Sequence, residues 1–199
     1  MAATASPYGL KAVNHLGGTP YAGSTRMYPM LSGLATNIYY GDVVNVQDTG
    51  LLTQNTTTGA VGAPFVAGTV GVFVGCTFTD PNSGNVTFRQ NWPTGTVTAD
   101  AQAYVIDDPA VIFQVQANGT LAQAALGACC FLVEQSTTTG NLTTGNSTTA
   151  AENGVVQTQA AFKIVGFVDS PTSAVGDAFT DILVKFNPVA HAYTSGVGI

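Results

Sequence analysis

Two histidines, three cysteines and one adjacent carboxylate pair are the side chains of this 199-residue sequence best suited to proton transfer, nucleophilic attack or metal binding. Their spacing argues against all three. His15 and His191 lie near opposite ends of the chain, so local spacing makes no ligand pair of them, and each reads as a loop or interface residue. Cys76, Cys129 and Cys130 form no Cys-x-x-Cys, and adjacent cysteines are poorly placed to bridge; buried, reduced thiols in strands are expected. Asp107-Asp108, together with Asp80 or backbone carbonyls, offers the oxygen ligands that Ca²⁺ favours. The same Asp-Asp-Pro sequence makes a turn, and the spaced Asp-x-Asp-x-Asp loop is absent, so the turn is the expected reading. As a glycosidase pair the two would point apart on a strand, whereas that reaction needs convergent carboxylates. There is no Gly-x-Ser-x-Gly elbow, no Gly-Lys-Ser/Thr and no Gly-x-Gly-x-x-Gly after a strand. No enzyme, no metal and no cofactor is therefore expected.

The elements that would position these residues read as strands. Residues 38–46 form two strand pieces broken at Gly41-Asp42, and Val70 to Phe78 is a long apolar strand. Asp80-Pro81-Asn82-Ser83-Gly84-Asn85 is a turn from which Val86 to Gln90 returns antiparallel. Further strands are expected at 101–106, 111–116, 126–135, 161–168 and 181–186. In the second of these, Val111, Phe113 and Val115 alternate with polar Gln114 and Gln116, the period of a half-buried strand. Residues 53–62 read as a Thr/Gly/Asn loop. The Thr-rich stretch 136–153 reads as either a solvent-facing excursion or a loop that touches a partner.

Composition supports the same class. Gly is abundant (23), hydrophobic residues make up 45%, and Val, Thr, Phe and Tyr suit pleated, half-buried strands. An all-β body is expected, a β-sandwich or a small β-barrel, spanning residues 37–199 as one domain or two small lobes. The net charge is −6, and no Lys/Arg cluster interleaved with aromatics is present, which disfavours nucleic acid as a partner. No apolar run is long enough to cross a bilayer, and the first seven residues lack the basic and apolar regions of a secretory signal. The five Asn-x-Ser/Thr triplets, at Asn55, Asn85, Asn118, Asn141 and Asn146, are expected by chance in a chain this rich in Asn and Thr.

Only 16 residues are formally charged, about a third of what a typical domain carries, so much of the surface is expected to meet other protein. Residues 1–36 sharpen that expectation. Pro7, Pro20, Pro29 and several glycines interrupt every regular element there, so the segment reads as an extended arm. It nevertheless carries Tyr8, Leu10, Leu16, Tyr21, Met27, Tyr28, Met30 and Leu31, unlike a solvated tail, and these eight are the expected capsid or inter-subunit contacts. Ordering such an arm costs roughly 1–2 kcal/mol per residue in backbone entropy. Each buried anchor returns only roughly 1.5–3 kcal/mol. The arm must therefore also pair its main chain with a sheet edge, on its own body or on a neighbour.

Several segments resemble one family. Pro64 to Pro81, Asn91-Trp92-Pro93, Tyr104 to Pro109 and the opening Ser6-Pro7-Tyr8-Gly9-Leu10 are together similar to structural proteins that decorate or cement the capsids of tailed bacteriophages. Tyr40-Gly41-Asp42-Val43-Val44 looks like the Gly-Asp-Val step of other capsid decoration proteins. The resemblance implies a virion protein on the outer capsid surface, in trimers or other small oligomers, with an arm that reaches neighbours. Its implied partners are the major capsid protein and further copies of itself. Two other readings stand beside it: a tail or fibre component, and a carbohydrate-binding β-sandwich using Trp92, Tyr39 and Tyr40 as stacking platforms.

Overall fold

The computed structural model describes residues 4–60, 62–133, 140–156 and 159–196. Within them run β1 (Lys11–His15), β2 (Arg26–Pro29), β3 (Val43–Val46), β4 (Leu52–Gln54), β5 (Thr69–Thr79), β6 (Val86–Arg89), β7 (Gln102–Ile106), β8 (Val111–Gln116), β9 (Cys129–Cys130), β10 (Phe162–Phe167) and β11 (Asp181–Phe186). Two antiparallel sheets pack together as a β-sandwich. The first sheet has the order β1-β8-β11-β10-β9, and the second β2-β7-β5-β3-β4 with β6 also paired to β5. The second sheet curls: Met30, just after β2, bridges Leu52 of β4, and the Leu31 amide donates to the Leu52 carbonyl at 3.3 Å.

Two cores follow from this curl. Between the sheets, Phe113, Val115, Phe162, Ile182, Val184 and Phe186 of the first sheet meet Val43, Val72 and Ile106 of the second. Inside the curl, Ile38, Val44, Leu52, Phe73, Cys76, Phe78, Trp92 and Val105 pack against one another. β5 serves both cores, with Val72 on one side and Phe73, Cys76 and Phe78 on the other. A strand buried on both faces loses polar alternation, which explains the nearly continuous apolar run. β8 and β11 are buried on one face only, and Val111, Phe113 and Val115, like Ile182, Val184 and Phe186, alternate with more exposed neighbours.

Four sequence expectations are corrected. The arm is not free of regular structure, because β1 pairs with β8 and β2 with β7, one edge strand for each sheet. Thr53 and Gln54 belong to β4 instead of opening a loop. The strand expected from residue 126 shortens to Cys129–Cys130, since Gln123–Ala125 forms a 3₁₀ turn and Gly127 takes φ 83°; residues 134 and 135 lie outside the described residues. Finally, residues 140–153 are neither an excursion nor free to meet a partner along their length. Ser147, Thr149, Ala150 and Ala151 are buried, and Ala151 bridges both Ala117 and Leu132; residues 136–139 lie outside the described residues.

The arm enters the body at a tight crossing. The Gly9 amide donates to the Thr149 carbonyl at 3.1 Å, and the Leu10 amide to the Gly41 carbonyl at 3.0 Å. Gly9 and Gly41 have φ 73° and 95°, and a Cβ on Gly41 would stand 2.9 Å from the Leu10 nitrogen. Only glycine accommodates both the backbone conformation and the approach. Thus Ser6–Leu10 and Gly41-Asp42, remote in sequence, lie against each other.

Asp42 is fully buried beneath this crossing, accepting hydrogen bonds at Oδ2 from the Tyr39 amide at 2.9 Å and Gln54 Nε2 at 3.0 Å. Burial raises its carboxyl to about 6, against the downward pull of its hydrogen-bond donors. A carboxyl raised in the folded state favours folding fully below its unfolded value near 3.8 and loses that contribution as pH rises through about 6. Asp42→Asn removes the titration. The stability of the wild type relative to this variant should therefore fall by about 3 kcal/mol between pH 4 and pH 7. Denaturant midpoints at intervals across that range check it, and a pH-independent difference would refute it.

Candidate interaction surface

The first sheet covers only part of the second. Ile106, Val72 and Val43 lie beneath it, but further along the same face, towards the β5–β6 hairpin, the second sheet is open. There Met27 registers against Tyr104, and the Tyr104 and Phe88 rings lie 6.1 Å apart, tilted by 52°. Val86 stands two residues before Phe88 on the same face of β6. Met27, Phe88 and Val86 are 60%, 60% and 78% exposed. The row owes its continuity to Gly75, where a Cβ would meet the Phe88 ring at 2.8 Å, and to a register shift in β5 between Phe73 and Gly75.

One end of the row is ordered by charge. The Arg26 Nε lies 2.9 Å from Asp107 Oδ2, which also accepts the Tyr28 hydroxyl at 2.9 Å. The Tyr28 and Tyr193 hydroxyls touch, and the Arg26 guanidinium sits 5.4 Å from the Tyr193 ring centre. Burial, then the hydrogen bonds with Tyr193 and Asp107, holds the Tyr28 phenol far above its ordinary range, so it stays a neutral donor. The Asp107 carboxylate raises Arg26, which is solvent-exposed. The network joins β2, the β7–β8 turn and the C-terminal segment, and so fixes the strand that presents Met27.

The eight arm residues expected to make contacts are dispersed. Leu10 and Met30, 1% and 5% exposed, belong to the two internal cores and offer nothing to a partner. Tyr8, Tyr21, Tyr28 and Leu31 are half-buried. The Tyr8 hydroxyl donates to Asp181 at 3.0 Å, and that of Tyr21 to the Ser24 carbonyl at 2.5 Å. Leu16 and Met27 are exposed, and of the eight only Met27 joins the open row. Phe88, Val86 and Tyr104 were not among the expected contacts. Alternation in Val86-Thr87-Phe88-Arg89 announces an apolar face, but not whether that face is covered.

The residues considered for chemistry are occupied structurally. Asp108 caps its turn by accepting the Ala110 amide at 2.8 Å and pairs with His15 Nδ1 at 3.4 Å. Among the described residues no group of three or more His, Cys, Asp or Glu converges. His191 is buried against Phe186 and Tyr193, and burial lowers its imidazole. Cys76 and Cys130 are buried and free, and burial pushes both thiols up to about 12. Trp92 is fully buried with its ring edge-on to Phe78 at 5.2 Å, and Tyr39 is 2% exposed, so neither offers a face to a sugar.

The fold thus defines a two-sheet, all-β protein whose most distinctive surface is an open apolar row. Comparison with protein-family models, curated proteins and solved structures finds no match for the chain.

Proposed function

We propose that this chain is a structural protein of a virion that binds the outer surface of a tailed-phage capsid as an oligomer and cements neighbouring major capsid proteins. The observation that carries this reading is the open row of Met27, Tyr104, Phe88 and Val86 in a chain with only 16 charged residues. Aromatic residues and methionine are enriched at protein interfaces, whereas a solitary soluble domain keeps such rows small and ringed with charge. The sequence resemblance supplies the shell as the partner. On a symmetric shell the same weak contact recurs at every subunit, and linked copies, a homotrimer in this reading, multiply it into a large effective affinity. No reaction is assigned to the chain.

The test is to fractionate mature phage heads and probe each fraction for this chain. Heads should carry it in stoichiometric amount and release it as an oligomer when washed with denaturant. Absence from heads would reject the cement role, and recovery with tails or fibres would favour a tail component. Truncating residues 1–36 is a poor way to probe contacts, because it would remove an edge strand from each sheet. Substitutions on the open row are the informative variants.

A further inference from the structure

Five residues of this chain are Lys or Arg, and two of them oppose each other directly. Lys163 of β10 registers against Lys185 of β11, so both project from the outer face of the first sheet. Like charges opposed across an antiparallel pair are destabilising. Lys163 is exposed, Lys185 is half-buried, and no described carboxylate forms an ion pair with either. Lys11 of β1 shares the face: it registers against Gln114, which registers against Leu183, two residues before Lys185. Two strand spacings and one two-residue step put Lys11 about 12 Å from Lys185. The strands of this face carry one carboxylate, Asp181, which already accepts the Tyr8 hydroxyl. A protein of net charge −6 thus gathers three of its five cations on one sheet face, and two of them repel each other.

We infer that the Lys11–Lys163–Lys185 face is a second docking surface, built for a carboxylate-bearing protein surface. Charge complementarity carries this assignment. Carboxylates brought between Lys163 and Lys185 would convert a repulsive pair into two attractive ones without rearranging the strands. A nucleic acid fits less well. Three cations release few counterions, and the chain's net negative charge opposes a long polyanion. The face lies on a different sheet from the open apolar row, so a single copy can contact two partners. That is what a cement requires, and the identity of the acidic partner as capsid rests on the function proposed above.

The test has two arms. In the first, a fluorescein-labelled twelve-residue peptide of alternating Glu and Gly is titrated by anisotropy against the full chain, the Lys163→Gln/Lys185→Gln variant and Arg89→Gln. A DNA duplex is titrated in parallel. The double variant should bind the peptide at least 10-fold more weakly at low salt, and Arg89→Gln should bind as the wild type does. Its melting temperature should equal or exceed that of the wild type, because a like-charge pair has been removed. Equal peptide binding by all three proteins would overturn the inference. Tighter binding of DNA than of peptide would overturn it in favour of a polyanion. A changed oligomeric state of the double variant would overturn it in favour of a second copy of this chain.

In the second arm, phage heads bearing wild-type or double-variant chain are washed in rising salt. The variant should leave at lower salt. Equal retention would overturn the lysine face and leave the cement role standing. Absence of the wild type from heads would reject the cement role, and the peptide titration would then decide the lysine face alone.

Discussion

Deleting residues 1–36 should abolish the cooperative unfolding transition and send the chain into the insoluble fraction. The segment supplies β1 and β2, the edge strands of the two sheets, and places Leu10 and Met30 in the two cores. Those two side chains alone stabilise the fold by roughly 3–6 kcal/mol in total, where a whole domain is stable by about 5–15 kcal/mol. Their loss also uncovers what they shield. The edges of β7 and β8 would lie unpaired, and the Met30–Leu52 bridge that brings β2 to β4 would be gone. Exposed strand edges above an opened apolar core are templates for aggregation. Thermal unfolding followed by circular dichroism, with a sedimentation assay, is the measurement. A soluble truncated chain with a sharp transition would show that the body is self-sufficient and the arm dispensable.

The second large effect is expected where folding is untouched. Met27→Glu with Phe88→Glu puts two charges into the open row at positions that are each 60% exposed. Exposed substitutions of this kind change stability by about 0.5 kcal/mol or less, so the melting temperature should stay near that of the wild type. Residues central to an interface contribute about 2 kcal/mol or more on truncation. Retention on heads, or self-association, should therefore weaken at least ~30-fold. Leu126→Glu, at an exposed apolar position outside the row, serves as the control and should bind normally. Co-sedimentation with heads and analytical ultracentrifugation report the two modes of association separately. Binding by the double variant equal to that of Leu126→Glu would remove the row from the interface.

The arm shows how far sequence reasoning reaches. Its anchors argued that main-chain pairing had to accompany burial, and both β1 and β2 supply such pairing. Proline and glycine content nevertheless hid the strands, because each is only four or five residues long and lies between breakers. Such short edge segments owe their conformation to the strand beside them rather than to local propensity. The same holds for β4, whose Thr53 and Gln54 look like loop residues and are buried by the partner β3. Trp92 failed as a sugar platform for a related reason. An aromatic ring near a turn is equally suited to core and surface, and the curl of the second sheet closes over it.

By itself the sequence determined the all-β class, most of the long strands and the poverty of charge, since these depend on periodicity and composition within short windows. It also determined that Gly9 and Gly41 adopt conformations other residues avoid, without revealing that the two meet. The tertiary structure decided which apolar faces are covered, that the arm lies on its own body, and that Lys163 faces Lys185. Burial and register are relations between segments far apart in the chain. The alternation of Val86 and Phe88 is the same whether a sheet lies over them or solvent does, and only the limited extent of the first sheet leaves them exposed.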